Sequence, residues 1–210
     1  MMDLLDKVLE NIPYDTITDT ELFALMGGTQ ASRYNQLKRV LAKGQLIHVR
    51  RGLYLLAKRY QRKPLNPYAL AQKIYGPSYV SFESALSYHG LIPEAVYSVS
   101  SASLKRSREF KTPVGVYAFV QIPQHGFYVG VERVEKGQDV FLMASPAKAL
   151  ADYVLCNRPD WDRLEQLLES LRIERDELKV DRGEINSLVK DCKSKKVLRL
   201  LKELKEVSAS

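Results

Sequence analysis

The chain has 210 residues, 45% of them apolar, with 32 Lys+Arg against 25 Asp+Glu for a net charge of +7. That length fits one or two domains, and that apolar share supports a buried core and excludes wholesale disorder. No apolar run approaches the ~20 residues that span a bilayer, and Met1-Met2-Asp3-Leu4-Leu5-Asp6 is acidic where a secretory signal is basic, so a cytoplasmic protein with no membrane partner is expected.

In chain order, a helix is predicted first, from Asp3 to Ile12, because Leu4, Leu5, Val8, Leu9 and Ile12 recur at helical spacing. Pro13 ends it. Thr18, with Glu21 three residues on, makes a capping box for a short helix through Leu22, Phe23, Leu25 and Met26. Gly27-Gly28 breaks that helix. Thr29 then caps another, running to about Lys43 with Tyr34, Leu37, Val40 and Leu41 as its core stripe, and Gly44 stops it. Gln45 to Arg50 and Leu53 to Leu56 read as strands joined by Arg51-Gly52. Helix, helix, tight turn, helix and hairpin, in that order, is a winged helix-turn-helix.

A basic, proline-bearing linker follows from Lys58 to Pro67. Helices are predicted over Tyr68–Tyr75, Glu83–His89, Pro146–Cys156, Trp161–Leu171 and Ile185–Val207. Strands are predicted at Tyr79–Ser81, Val96–Val99, Val114–Ile122, Phe127–Val134 and Val140–Met143. The expected class is α+β: an N-terminal winged helix-turn-helix (1–60) and a mixed α/β C-terminal domain (61–210) ending in amphipathic helices.

The charge is not evenly spread. Up to Gly27 there are six acids (Asp3, Asp6, Glu10, Asp15, Asp19 and Glu21) and one base, Lys7. From Gly28 to Lys63 there are ten bases and no acid: Arg33, Lys38, Arg39, Lys43, Arg50, Arg51, Lys58, Arg59, Arg62 and Lys63. Solvated helix faces mix both signs, whereas an acid-free basic block is the footprint of a polyanion partner. With the stripe buried, the other side of the third helix would present Gln30, Ser32, Arg33, Asn35, Gln36 and Arg39, residue types that pair with base edges. Lys38 and Lys43 suit phosphates, and Arg50 and Arg51 sit at the tip of the hairpin, where a wing meets backbone or minor groove. The expected partner is double-stranded DNA. A winged helix serving only protein contacts is the competing reading.

Little points to catalysis. Cys156 and Cys192 are far apart and His48, His89 and His125 are scattered, which is no metal-ligand spacing. Ser84 and Ser87 near His89 lack a paired carboxylate, and Glu132, Glu135 and Lys136 lack a partner acid. No glycine-rich phosphate loop is present. No catalytic residue, metal or cofactor is therefore expected, and an enzyme on nucleic acid using Glu132, Glu135 and Lys136 is the minor alternative. The basic stretch Lys105, Arg106, Arg108 and Lys111 is either a second nucleic-acid contact or a solvated loop, and the loop is favoured.

The segment Ser81-Phe82-Glu83-Ser84-Ala85-Leu86-Ser87-Tyr88-His89-Gly90-Leu91-Ile92-Pro93 resembles the AbiEi family of type IV antitoxins. So do Arg51-Gly52-Leu53-Tyr54 after the basic helix, the strand-rich stretch Val96–Val134, and Ala144-Ser145-Pro146-Ala147-Lys148-Ala149-Leu150-Ala151-Asp152-Tyr153, which is similar to the family's Pro-x-x-Ala-Leu-x-Asp element. The resemblance spans about residues 3 to 160. It implies an autorepressor that binds inverted repeats at its own promoter, and an antitoxin that counteracts a nucleotidyltransferase-like toxin with no stable complex required. Ser81 or Ser84 is expected to cap a helix and Asp152 to serve as a buried hydrogen-bond partner. The alternative is a stand-alone transcription regulator whose C-terminal domain senses a ligand or dimerises.

Overall fold

A computed structural model describes residues 3–93, 98–157 and 159–207, and within them the chain is α+β. Val96 and Tyr97, half of the strand expected at 96–99, lie outside the described residues.

The N-terminal unit is built from α1 (Leu4–Asn11), β1 (Thr16–Thr18), α2 (Asp19–Leu25), α3 (Gln30–Ala42), β2 (Leu46–Arg50) and β3 (Leu53–Leu56). The strands form an antiparallel sheet in the order β1-β3-β2. Local chemistry sets the helix starts. Asp3 and Asp6 form a capping box on α1, and Thr18 and Glu21 form the expected one on α2. Thr29 accepts from the Ser32 N–H at 3.3 Å to open α3. β1 was not expected, because three residues are too few to show alternation.

The C-terminal unit is a six-stranded mixed sheet in the order β6-β7-β5-β4-β9-β8. Its strands are β4 (Ser78–Val80), β5 (Ser98–Ser103), β6 (Arg108–Thr112), β7 (Gly115–Gln121), β8 (Val131–Lys136) and β9 (Asp139–Ala144). Its helices are α4 (Pro67–Ile74), α5 (Phe82–Tyr88), α6 (Pro146–Asn157), α7 (Leu164–Ser170), α8 (Arg182–Asp191) and α9 (Lys195–Val207). β5 runs parallel to β7 and β4 parallel to β9, while the outer pairs are antiparallel. The expected basic loop at 105–111 is in part an edge strand: β6 carries Arg108 and Lys111, and the opposite edge, β8, carries Glu132, Arg133, Glu135 and Lys136. Charged side chains on both outer strands deter further strand addition.

The single long helix expected over Ile185–Val207 is two helices. Cys192 leaves α8 in extended geometry, and the Ser194 hydroxyl accepts from the Val197 N–H at 3.4 Å, capping α9. Lys205 near the end of α9 reaches Asn186 near the start of α8 at 2.8 Å, so the two helices fold back on each other. Trp161 lies before α7 and not in it; its ring is buried under the Arg199 guanidinium, 4.9 Å away.

Two hydrophobic cores meet at one hairpin. Leu46, Tyr54 and Leu56 belong to the N-terminal core with Val8, Ile17 and Leu37, whereas Val49, Leu53 and Leu55 belong to the C-terminal core with Leu70 and Ile74. All four residues of β3 are therefore buried, odd positions in one core and even positions in the other. Arg62 ties the connecting segment to the N-terminal unit at the edge of this seam, donating to Asp15 at 3.2 Å and to the carbonyls of Leu9 and Ile12 at 2.9 and 2.8 Å.

Candidate nucleic-acid interface

α3 begins after a sharp turn in which Gly28 has φ +87°, where a Cβ would lie 3.2 Å from Ser32 Oγ. Only Leu37 and Val40 of α3 are fully buried. The remaining positions fall into two rows. Ser32, Asn35, Gln36, Arg39 and Lys43 share one side by their three- and four-residue spacing. Gln30, Arg33, Tyr34 and Leu37 share another, and together with Phe23 and Ala31 they line a shallow surface hollow.

This corrects the expected stripe. Tyr34 is 65% exposed, and Phe23 is exposed beside the same hollow. Gln30 and Arg33 accordingly flank Tyr34 and do not stand directly opposite the core. The first turns of α3 overhang the small N-terminal core, so periodicity correctly grouped Tyr34 with Leu37 but could not say where burial stops.

The polar side chains of α3 differ in how far they are committed. Gln36 bonds the Gly27 carbonyl and the Ser32 hydroxyl at 3.5 and 3.4 Å, bracing the turn. Lys43 pairs with Asp3 at 3.5 Å in an exposed contact of small energetic weight. Gln30, Asn35, Lys38 and Arg39 have exposed side chains without a hydrogen bond or ion pair among the described residues. Arg33 is half-buried, and its Nε has no hydrogen-bond partner among the described residues.

At the hairpin, the two arginines part company. Arg51 is exposed in the β2–β3 turn. Arg50 donates to its neighbour's carbonyl, Arg51 O, at 2.7 Å and to Lys73 O, at the end of α4, at 3.1 Å. A bulge between His48 and Arg50 explains this: it places Val49 and Arg50 together against Leu53, so both turn toward the C-terminal unit. Of the other bases, Lys63 pairs with Asp139 at 2.6 Å, Arg59 lies over the Tyr60 ring at 4.7 Å, and Lys58 is exposed.

Three acids of the N-terminal unit, Asp15, Asp19 and Glu21, are engaged by partners outside α3. Asp15 holds Arg62, and Asp19 bonds Tyr54, whose hydroxyl is pushed up to about 12 by burial and by that carboxylate. Burial pushes the Glu21 carboxyl up, but hydrogen bonds from Tyr14 and Thr18 and the Lys73 ammonium outweigh it and hold Glu21 below the usual carboxylate range. On the exposed side of α3, Lys38 and Arg39 thus carry positive charge with no carboxylate paired to it among the described residues.

The residues weighed for catalysis are dispersed or structural. Ser84 Oγ donates to Ser98 O at 3.2 Å and accepts from the Ser100 N–H at 2.8 Å, fastening α5 to β5. His89 Nε2 is 2.9 Å from the Ala144 carbonyl. Glu132 and Lys136 share one face of β8, while Glu135 pairs with Arg133 on the other. No group of three or more His, Cys, Asp or Glu side chains able to hold a metal occurs among the described residues. No helix among them is long and apolar enough to cross a membrane.

A second polar constellation lies inside the C-terminal unit. Asp152 on α6 is buried and accepts from Tyr79 Oη and Ser81 Oγ, both at 2.8 Å, while Lys148 Nζ is 3.0 Å from its other oxygen. Ser81 precedes α5 as its N-cap residue, yet its hydroxyl caps nothing and bonds Asp152 instead. Compared with models of known protein families and with curated proteins, the chain matches none.

Proposed function

We propose that the chain is a sequence-specific DNA-binding transcriptional regulator in which residues 1–60 act as a winged helix-turn-helix and α3 lies in the major groove. The observation that carries this reading is the exposed side of α3, where Asn35, Lys38 and Arg39 stand uncommitted within an acid-free stretch. Asn and Arg there suit adenine and guanine edges, and Lys38 suits a phosphate. Arg51 at the hairpin turn serves as the wing contact.

In its fuller form the reading is an autorepressing cytoplasmic antitoxin of the AbiEi kind. It would bind inverted repeats at its own promoter and counteract a nucleotidyltransferase-like toxin encoded beside it without a stable complex. This part rests on the resemblance at residues 81–93 and 144–153. Relief of growth arrest when the chain is co-expressed with that neighbour tests it.

DNA binding is tested by fluorescence anisotropy with a duplex from the chain's own upstream region and a scrambled duplex, across a salt series. The upstream duplex should bind more tightly, with log K falling by ~0.9 per phosphate contact per decade of salt. The Arg33→Ala/Arg39→Ala double variant should lose the preference while keeping its fold. An unchanged preference in that variant removes α3 as the reading helix. The stand-alone, ligand-sensing regulator remains a second reading, favoured by the cavity beside Lys148.

A further inference from the structure

A cavity of about 350 Å³ lies among α6, the segment 122–130, α8 and α9, a size at the lower end for small-molecule sites. Ile122, Val129, Leu155, Leu188 and Leu201 give it apolar walls. The segment 122–130 is seated very tightly on the helices. A Cβ on Gly126 (φ +67°) would lie 2.9 Å from Asp191 Cβ, and one on Gly130 (φ +72°) would lie 3.0 Å from Lys148 Cβ. Close-packed backbone forms one wall and helices the other, and the cavity is open to solvent at one side, where Lys193 is exposed.

The polar groups lining it have donors in surplus. Asp152 already accepts from Tyr79 and Ser81 and faces Lys148, and Asp191 already has His125 at 3.3 Å. Lys148, by contrast, has three N–H donors and, among the described residues, one carboxylate partner; its ammonium also lies 5.7 Å from the centre of the Tyr79 ring, and its side chain is only 9% exposed. Lys193 lines the same cavity with no acceptor among the described residues. A buried ammonium with an unused donor favours an acceptor of negative charge, whereas a cationic ligand would place a second positive charge beside it.

We propose that this cavity binds a small amphipathic carboxylic acid, with the carboxylate on Lys148 and Lys193 and the hydrocarbon body against the apolar walls. Neither residue belongs to the DNA-reading surface, so the proposal stands or falls apart from DNA binding.

The test is isothermal titration of the full chain at neutral pH with sodium octanoate as the probe, against acetate, octan-1-ol and octylamine. Octanoate should bind saturably at one site. Acetate should bind at least ~100-fold more weakly for want of an apolar body, and octan-1-ol and octylamine at least ~10-fold more weakly for want of the charge. Leu155→Trp, which fills the cavity and leaves the Lys148–Asp152 pair in place, should abolish binding. Lys148→Met should erase the preference for octanoate over octan-1-ol; if it does not fold, Leu155→Trp and the probe series decide alone. The proposal is overturned if octanoate fails to saturate in the millimolar range, if octylamine binds as well as octanoate, or if Leu155→Trp leaves octanoate binding intact.

Discussion

Ser81 Oγ donates to Asp152 Oδ2 at 2.8 Å, joining the start of α5 to the middle of α6 across 71 positions of sequence. Segments 81–93 and 144–153 therefore meet at one buried carboxylate, which also takes Tyr79 and Lys148. Lys148 and Asp152 stand four apart on one helix, so the ion pair is set by helix geometry and the two hydroxyls complete it.

Removing that carboxylate should be severe. Asp152→Ala leaves a buried ammonium and two buried hydroxyls without an acceptor, and the expected loss is ~3–5 kcal/mol. The double variant Lys148→Met/Asp152→Leu removes both charges and should recover much of the loss. Urea titration of the two variants checks this; equal destabilisation in both would show that packing, and not the orphaned charge, sets the cost.

Arg50 and Arg51 should separate cleanly. Arg50→Ala deletes an exposed bond to the Arg51 carbonyl and one to the Lys73 carbonyl across the seam between the units and should cost ~0.5–1.5 kcal/mol of stability, with the salt dependence of DNA binding unchanged. Arg51→Ala should leave the melting temperature in place and lower the salt slope by ~1. Thermal melts paired with anisotropy titrations give both readings, and the reverse pattern would return Arg50 to the DNA surface.

Tyr34 is a large aromatic side chain in water on the side of the proposed reading helix. Tyr34→Ser should change stability by no more than ~0.5 kcal/mol, as for an ordinary surface site. If the hollow it shares with Phe23 meets a duplex, affinity for the upstream sequence should fall ~10-fold, by loss of apolar contact with thymine methyls. No change in affinity would place the hollow outside the contact.

Glu184 gives a pH signature. Burial pushes its carboxyl up, opposed by the Ser145 hydroxyl and reinforced by Glu132 and Asp181. A raised folded value means that the folded state binds the proton more tightly than the unfolded state. Its ionised form thus costs stability, and that cost appears as pH rises from the ordinary value of 4.5 through the raised one. Glu184→Gln keeps an acceptor for Ser145 and removes the charge. It should raise the melting temperature at pH 7 by ~2 °C, the order that under 1 kcal/mol gives at this chain length. Its advantage should disappear toward pH 4, where the native carboxyl is protonated. Melting curves across that range check the sign, and a constant advantage at all pH values would rule out titration as its source.

The helix starts could be read because caps are local: Thr18 with Glu21, and Thr29, lie within one turn of the groups they satisfy. The short apolar run Leu53, Tyr54, Leu55 and Leu56 showed a strand, but four apolar residues in a row do not say that each face has its own core. The bond from Arg50 to Lys73 could not be read, because a bulge is one extra residue set by tertiary pairing and leaves no sequence mark. Ser194 did carry a signal for the break before α9, hidden because the apolar spacing continues through it. In the proposed interface, the residue types of α3 were plain from sequence, while the exposure of Tyr34 depends on how far the small N-terminal core extends beneath it.

The doubly covered hairpin has an evolutionary and practical consequence. Cutting the chain after residue 60 would strip Val49, Leu53 and Leu55 of their neighbours and lay a greasy stripe open to water. The head of this protein is thus not a detachable cassette. Swapping it onto a foreign body, or drifting one half without the other, requires that the second surface of a four-residue ribbon be re-matched at the same time.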